Sequence, residues 1–506
     1  MPEMLKKSAL LASIACASVA SASPVEYKCC PETLPMQTHL AYSGDSGMTV
    51  SWNTYSKLHF PSVRYGNHPD ALCHEAVSDV SVTYPTSTTF NNHVKITGLK
   101  PDTLYYYQPQ CGNSSQIYTM KTARSVGNHI PFSIAVGGDL GLMGPDGLTT
   151  STGPNGGNAP LAPGDNNTIQ SLQSMKSEWE FFWHPGDIAY ADYWLKEEAQ
   201  GFLPNSTLAD GQALYESILN QFYDEMTTLT VDRPYMVGPG NHDSNCDNGG
   251  TTDKGVSYNI SICPIGQTNF TGFRNHYRMP SDVSGGVGNF WYSFDYGMTH
   301  FIQLNTETDL GDGFIGPDQP GQPQGMDSGP FGSYPNEQLD WLKCDLEKVD
   351  RKKTPWVIAA VHRPWYVSAK NSSSTVCTIC KDAFEPLLVE HEVDLVFQAH
   401  THYYERNQPL NNYVIDPAGL ENPKAPWYIT TGAAGHYDGL DSLVYPLKPY
   451  AVYAEDTAYG WSKLSFHNCT HMTHEFVSSS NNTILDSATL FKDRKCWIEE
   501  SESCHH

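Results

Sequence analysis

Two kinds of periodicity divide the chain. Between about residues 25 and 125, short runs of alternating apolar and polar positions (MTVSWNTY, SVRYG, DVSVTY, NNHVKITGLKPDTLYYYQPQC) are separated by turn residues. That spacing predicts an all-β sandwich. After Asn128 the pattern changes to apolar runs, PFSIAV, WEFFW, PYMV, THFIQL, PWVIAAV, VDLVFQ and PWYITT, that read as buried strands. Between them lie NTIQSLQSMKSE, GQALYESILNQFYDEM, NEQLDWLKCDLEKV and DAFEPLLVEH, whose apolar residues recur at three- and four-residue spacing and predict helices. The alternation predicts a layered α/β domain, its β-sheets sandwiched between flanking helices. Gly-, Pro- and Asn-rich insertions at 141–167 and 310–335 read as surface loops.

The ends of the chain refine this organisation. Lys6 and Lys7, an uncharged stretch over 8–19 and Ala20-Ser21-Ala22 have the form of a secretory signal peptide over residues 1–22. The expected units are then a β-sandwich over 23–126, the α/β domain over 127–480 and a C-terminal tail over 481–506. A mature chain keeping twelve of the thirteen cysteines suits disulfide formation in an oxidising compartment. There Cys377-Thr378-Ile379-Cys380 reads as a structural bridge rather than a redox or zinc motif. Eight Asn-X-Ser/Thr sequons, at Asn113, Asn166, Asn205, Asn259, Asn269, Asn371, Asn468 and Asn481, fit a glycoprotein secreted to the extracellular space.

A formal net charge of −25, with no long Lys/Arg run, argues against nucleic-acid binding, and no stretch after the signal is long and apolar enough to span a membrane. Such a chain also repels anionic substrates. An anionic substrate therefore requires a strongly positive local centre, such as a metal ion.

The residues just past the strands supply donors for such a centre. PFSIAV runs into Gly138-Asp139-Leu140-Gly141, WEFFW into Gly186-Asp187-Ile188-Ala189-Tyr190, and PYMV into Gly240-Asn241-His242-Asp243. PWVIAAV ends in His362, and VDLVFQ in Ala399-His400-Thr401-His402. Ligands of α/β sheets collect outside the carboxyl ends of the strands, so these distant segments are expected to converge. Two carboxylates, a phenol, an amide oxygen and three imidazoles, with no thiolate, suit an iron-type ion beside a divalent zinc or manganese. They are too many for one ion. Two metals bridged by one carboxylate would use them all and would clamp both oxygens of a phosphoryl transfer.

GDLG, GDIAY, GNHD, the VH at 361–362 and AHTH resemble the metal-ligand blocks of the calcineurin-like metallophosphoesterases, and the Tyr of GDIAY resembles purple acid phosphatases in particular. The preceding β domain and PMQTHLAYSGDSGMTVSW are similar to the large two-domain form of plants and fungi, and residues 99–105 (LKPDTLY) resemble the tyrosine-corner turn of fibronectin type III domains. The resemblance covers nearly the whole mature chain. It implies a metallophosphoesterase fold behind a fibronectin type III-like sandwich that serves as a spacer or docking module. It also implies that Asp139, Tyr190 and His402 bind Fe(III), that Asn241, His362 and His400 bind a divalent metal (Zn, Fe or Mn), and that Asp187 bridges them. The implied activity is acid phosphatase: a metal-activated hydroxide hydrolyses small phosphate monoesters, phytate among the candidates. Related large enzymes form disulfide-linked dimers, which makes a homodimer an expectation.

His242, beside Asn241, is the candidate to stabilise the transferring phosphoryl group or protonate the leaving group. Asp243 is a candidate to orient a histidine or cap the following turn, and Arg363 to contact substrate or support a ligand. His184, His276, His300 and His436 read as structural histidines, with His436 the best placed of them to support a ligand. The chain departs from the family pattern at three places. Ala399 stands for a glycine, Ala359 for a valine, and Val367-Ser368-Ala369-Lys370 where plant relatives carry a substrate-contacting histidine pair. A phosphodiesterase or nucleotide pyrophosphatase on the same scaffold is the alternative. A non-enzymatic binding glycoprotein would have lost ligands, whereas all seven positions are filled.

Overall fold

Eight strands build the N-terminal sandwich: β1 (Met36–Tyr42), β2 (Met48–Thr54), β3 (Ser62–Gly66), β4 (His74–Val77), β5 (Ser81–Val82), β6 (Phe90–Ile96), β7 (Leu104–Pro109) and β8 (Tyr118–Lys121). The computed structural model describes residues 29–142, 161, 164–194, 207–247, 262–310, 329–435 and 439–496; the expected signal segment, Asn205, Asn259 and His436 lie outside them. One sheet has the order β1-β2-β6-β5 and the other β4-β3-β7-β8. Val50, Trp52, Val63, Val94 and Tyr107 are fully buried in this unit. The tyrosine corner is formed, with the Tyr105 hydroxyl accepting from the Lys100 N–H at 3.0 Å.

The sandwich docks on the next domain through aromatic and polar contacts. The Tyr42 ring meets Phe181 and Tyr296 at 5.6 and 5.5 Å, and Tyr84 and Thr86 donate to the buried carboxylate of Glu216 on the helix Leu208–Thr230.

The α/β domain has two further sheets. One contains β9 (Phe132–Val136), β10 (Phe182–Pro185) and β11 (Tyr235–Gly238), mutually parallel in the order β11-β10-β9, and continues into the antiparallel strands β20 (Gly460–Phe466), β21 (His471–Ser478) and β22 (Ile484–Phe491). The other is built on β12 (Tyr292–Tyr296), β13 (Thr299–Gln303), β14 (Trp356–Ala360), β15 (Leu395–Gln398), β16 (Tyr404–Asn411), β17 (Val414–Ile415), β18 (Trp427–Thr431) and β19 (Ala451–Glu455). Within it β13, β14, β15 and β18 run parallel. Rings of the two sheets meet across the core, Tyr404 on Phe476 at 4.0 Å and Phe301 on Phe466 at 6.0 Å. The helices Glu337–Lys348 and Thr378–Glu390 bury Trp341, Leu342, Phe384 and Leu388. This is the layered arrangement that the sequence predicts, with parallel strands ending toward one region.

The tail expected from residue 481 is a correction. Residues 484–491 are β22, paired antiparallel with β21, and Cys496 beyond it is bonded to Cys469. The final strand completes the sheet edge because its ladder and the disulfide outweigh an irregular pattern of side chains, of which only one is fully buried. Cys377–Cys380 is a disulfide, as are Cys29–Cys111 and Cys246–Cys263, while Cys30 and Cys344 are exposed free thiols. Among the described residues no helix is long and apolar enough to cross a membrane.

Candidate metal centre

Asp139 follows β9, Asp187 and Tyr190 follow β10, Asn241 and His242 follow β11, His362 follows β14, and His400 and His402 follow β15. The parallel strands therefore deliver all seven ligand candidates to one region, and their backbone is shaped for it. Asp139, Asp187, Tyr190 and His400 all have left-handed φ, between 51° and 65°, a conformation that costs non-glycine residues and clusters at functional sites. Gly240 is required by close approach, since a Cβ there would lie 2.2 Å from both the backbone nitrogen and Oδ1 of Asp187. Ala399 keeps an ordinary φ, but its Cβ would lie 2.5 Å from any Cβ placed on Gly138, so the alanine fixes its neighbour as glycine.

The donors form two groups that share Asp187. Asp187, His362 and His400 offer atoms mutually within 4.8 Å, and so do Asp139, Asp187 and His402. Tyr190 joins the second group, its hydroxyl 3.0 Å from Asp139 Oδ1, 3.1 Å from Asp187 Oδ2 and 3.0 Å from His402 Nε2. Asn241 joins the first, with Oδ1 3.0 Å from His362 Nε2.

Electrostatics test whether cations fit. Burial alone would lower the pKa of His362, yet Asp187, Asp139 and Glu307 hold it up at about 10. Burial and the carboxylates of Asp139 and Asp187 push the Tyr190 phenol well up, so a phenolate there needs a compensating cation. Burial, Arg363 and His362 hold His400 well below the ordinary histidine range, and its buried Nε2 has no hydrogen-bond partner. A neutral imidazole with an orphaned lone pair, converging carboxylates and a phenol against them make a donor set that fits two cations.

His242 lies at the rim. Its backbone N–H donates to Asp187 Oδ1 at 2.8 Å, its Nδ1 is 2.8 Å from Asp192 Oδ2, and its ring lies 4.4 Å from Tyr190 and 5.0 Å from Tyr193. Asp192, fully buried, is a positioning residue that sequence reasoning missed; its place two residues after Tyr190 in GDIAYAD was the available signal. Asp243 orients no histidine ring. Its carboxylate accepts from the N–H groups of Gly240, Asp187 and Ile188 at 2.9–3.1 Å and so ties the two glycine-containing turns together. Burial and the Asp187 charge push its pKa up to about 8, against those N–H groups.

Arg363 is buried and its Nε bonds both oxygens of Glu307 at 3.1 and 2.8 Å, which gives it a supporting place beside His362. Glu307 and Asp441, whose Oδ2 accepts from the His402 N–H at 2.8 Å, were also missed, because neither belongs to a motif. His184 and His276 are buried structural residues bonded to Tyr235 and Asn91, and His300 bridges Asp295 and Asp345. The segment that replaces the histidine pair is closed, with Val367, Ser368 and Ala369 buried against Tyr403 and Leu443 and only Lys370 exposed.

A strand-end site shared by two donor groups on paired, helix-flanked sheets defines a metallophosphoesterase. The comparisons place it further: "Calcineurin-like phosphoesterase" matches residues 132–404, "Purple acid Phosphatase, N-terminal domain" residues 35–122, and "Iron/zinc purple acid phosphatase-like protein C" residues 425–487. The chain belongs to the purple acid phosphatases. It is 38% identical to acid phosphatase A of Cryphonectria parasitica, over 94% of this chain and 95% of that protein, and 31% identical to an acid phosphatase of Aspergillus ficuum, over 88% and 85%. Its fold is similar to that of a purple acid phosphatase from yellow lupin seeds, with a TM-score of 0.65 and 20% identity over 91% of this chain and 75% of that one.

Proposed function

We propose that this protein is a secreted acid phosphatase that hydrolyses small phosphate monoesters at a dinuclear, iron-containing centre. The observation that carries the reading is the pair of donor groups sharing Asp187. Asp139, Tyr190 and His402 would hold iron, Asn241, His362 and His400 a divalent zinc, iron or manganese, and Asp187 would serve both. Bound there, the metals supply Lewis-acid charge and an ionised water at acidic pH.

The chain's own residues orient this chemistry. The N–H of His242 and the Asp243 carboxylate hold the Asp187 turn in its left-handed conformation. Asp192 fixes the plane and tautomer of the His242 ring through Nδ1, which assigns Nε2 to the transferring phosphoryl group or the departing oxygen. With the segment at 367–369 buried, His242 is the proton donor we assign. An acidic optimum follows, because acid lowers substrate charge against a chain of −25.

Disulfides support secretion, as do the sequons at Asn113, Asn269, Asn468 and Asn481, all exposed; Asn166 and Asn371 are half-buried. The testing experiment compares turnover of p-nitrophenyl phosphate and bis-p-nitrophenyl phosphate across pH. Preference for the monoester with a maximum below neutrality is expected. Preference for the diester, or a maximum well above neutrality, would replace this reading with the phosphodiesterase one.

A further inference from the structure

At the amino ends of β14 and β15, opposite the metal centre, the charge pattern of the molecule reverses. Asp394, buried at 1% exposure, immediately precedes β15 and accepts from the Val357 N–H of β14 at 2.9 Å. Three cations converge on this one carboxylate: Arg351 at 2.9 Å, Arg494 at 2.5 Å and Lys492 at 3.6 Å. One negative charge cannot neutralise three positive ones. Burial and then its two arginine neighbours lower the Lys492 pKa, against the pull of Asp394.

These residues line a cavity of about 450 Å³, whose rim adds the exposed side chains of Lys352, Lys424 and Lys495. Glu392 and Asp493 are the other carboxylates of the lining, so six cationic groups meet three anionic ones in a chain of net charge −25. The cations come from three separate segments, 351–352, 424 and 492–495, so the short run Arg351-Lys352-Lys353 shows only part of the cluster in the sequence. From Asp394 to His400 is six residues along an extended strand, or roughly 20 Å at about 3.3 Å per residue.

We propose that this cavity is an anion exosite, separate from the metal centre, that takes a ligand bearing closely spaced sulfate or phosphate groups. The surplus charge around Asp394 supplies the fixed inner wall. Lys352, Lys424 and Lys495 supply the outer contacts, and none of them is among the three cations paired with Asp394. Sulfated saccharides and condensed phosphates share the recognised chemistry, and ionic strength should weaken either one.

The test uses the full-length metal-loaded protein and the variant Lys352→Gln/Lys424→Gln/Lys495→Gln. Two probes are titrated calorimetrically at low and moderate salt: a heparin hexasaccharide and a non-hydrolysable methylene diphosphonate. Binding of at least one probe by the wild type is expected, falling at least 10-fold in the triple variant and with added salt, while p-nitrophenyl phosphate turnover stays unchanged. The probe bound more tightly identifies the sulfated or the phosphorylated source. Failure of the wild type to bind either probe would overturn the exosite. So would equal affinity in the variant, above all with competitive inhibition of turnover, which would place the anion at the metal centre instead.

Discussion

The same two strands, β14 and β15, end in opposite electrostatic worlds. At their carboxyl ends His362 and His400 lie among the buried carboxylates of Asp139 and Asp187, which favour positive charge and hold the His362 pKa up at about 10. At their amino ends Arg351, Lys492 and Arg494 surround Asp394, and positive charge is in surplus. The first end is shaped by left-handed backbone at four ligand candidates. The second is held by groups the chain itself provides, and it ties the C-terminal segment to the sheet. A parallel sheet can therefore separate a metal-binding face from a cationic, stabilising face across one layer.

The contrast can be broken at either end. Asp187→Asn removes the carboxylate common to both donor groups, and turnover should fall by at least about 1,000-fold together with metal content, read by steady-state kinetics and elemental analysis. Near-normal activity with both metals retained would refute the shared-ligand assignment. At the other end, Asp394→Asn leaves three cations without their counter-charge and should cost about 3–5 kcal/mol of stability in urea unfolding.

Acid should act on that second end in a defined direction. The cations hold the folded Asp394 pKa at about 2 despite burial, below its ordinary value of about 3.9. Its stabilisation is therefore fully present above about pH 4 and lost as pH falls toward 2, a loss of roughly 2 kcal/mol. Urea unfolding of the wild type over pH 5 to 2 should carry this loss, and the Asp394→Asn variant should lack it.

Smaller effects sharpen the rim of the metal centre. His242→Ala should lower kcat about 100-fold with metal content intact, if the ring acts on the transferring group. Asp192→Asn, acting through His242, should lower kcat about 10-fold and alter the alkaline limb of the pH profile, where a proton donor is lost, without changing metal content. An unchanged pH profile would leave Asp192 a structural role only.

The seven ligand candidates were legible because each stands just past an apolar run, at the place where parallel strands present donors. The sandwich and the α/β layering were legible from period-two and helical spacing. Glu307 and Asp441 were not, since each is identified only by contact with a residue distant in sequence, and Asp192, though two residues after Tyr190, shows its role only through its contact with His242. β22 escaped because it lies at a sheet edge with only one residue buried and little alternation to read. The cationic cavity escaped because folding assembles it from separate segments.

The central claim is that two metals, one of them iron on Tyr190, share Asp187. Elemental analysis of the purified native protein, with its visible spectrum before and after reduction, tests it most directly. The account predicts about one iron and one second metal per chain, in keeping with two-metal sites, and a visible phenolate-to-iron band that bleaches on reduction. One metal per chain, or two without that band, would contradict it.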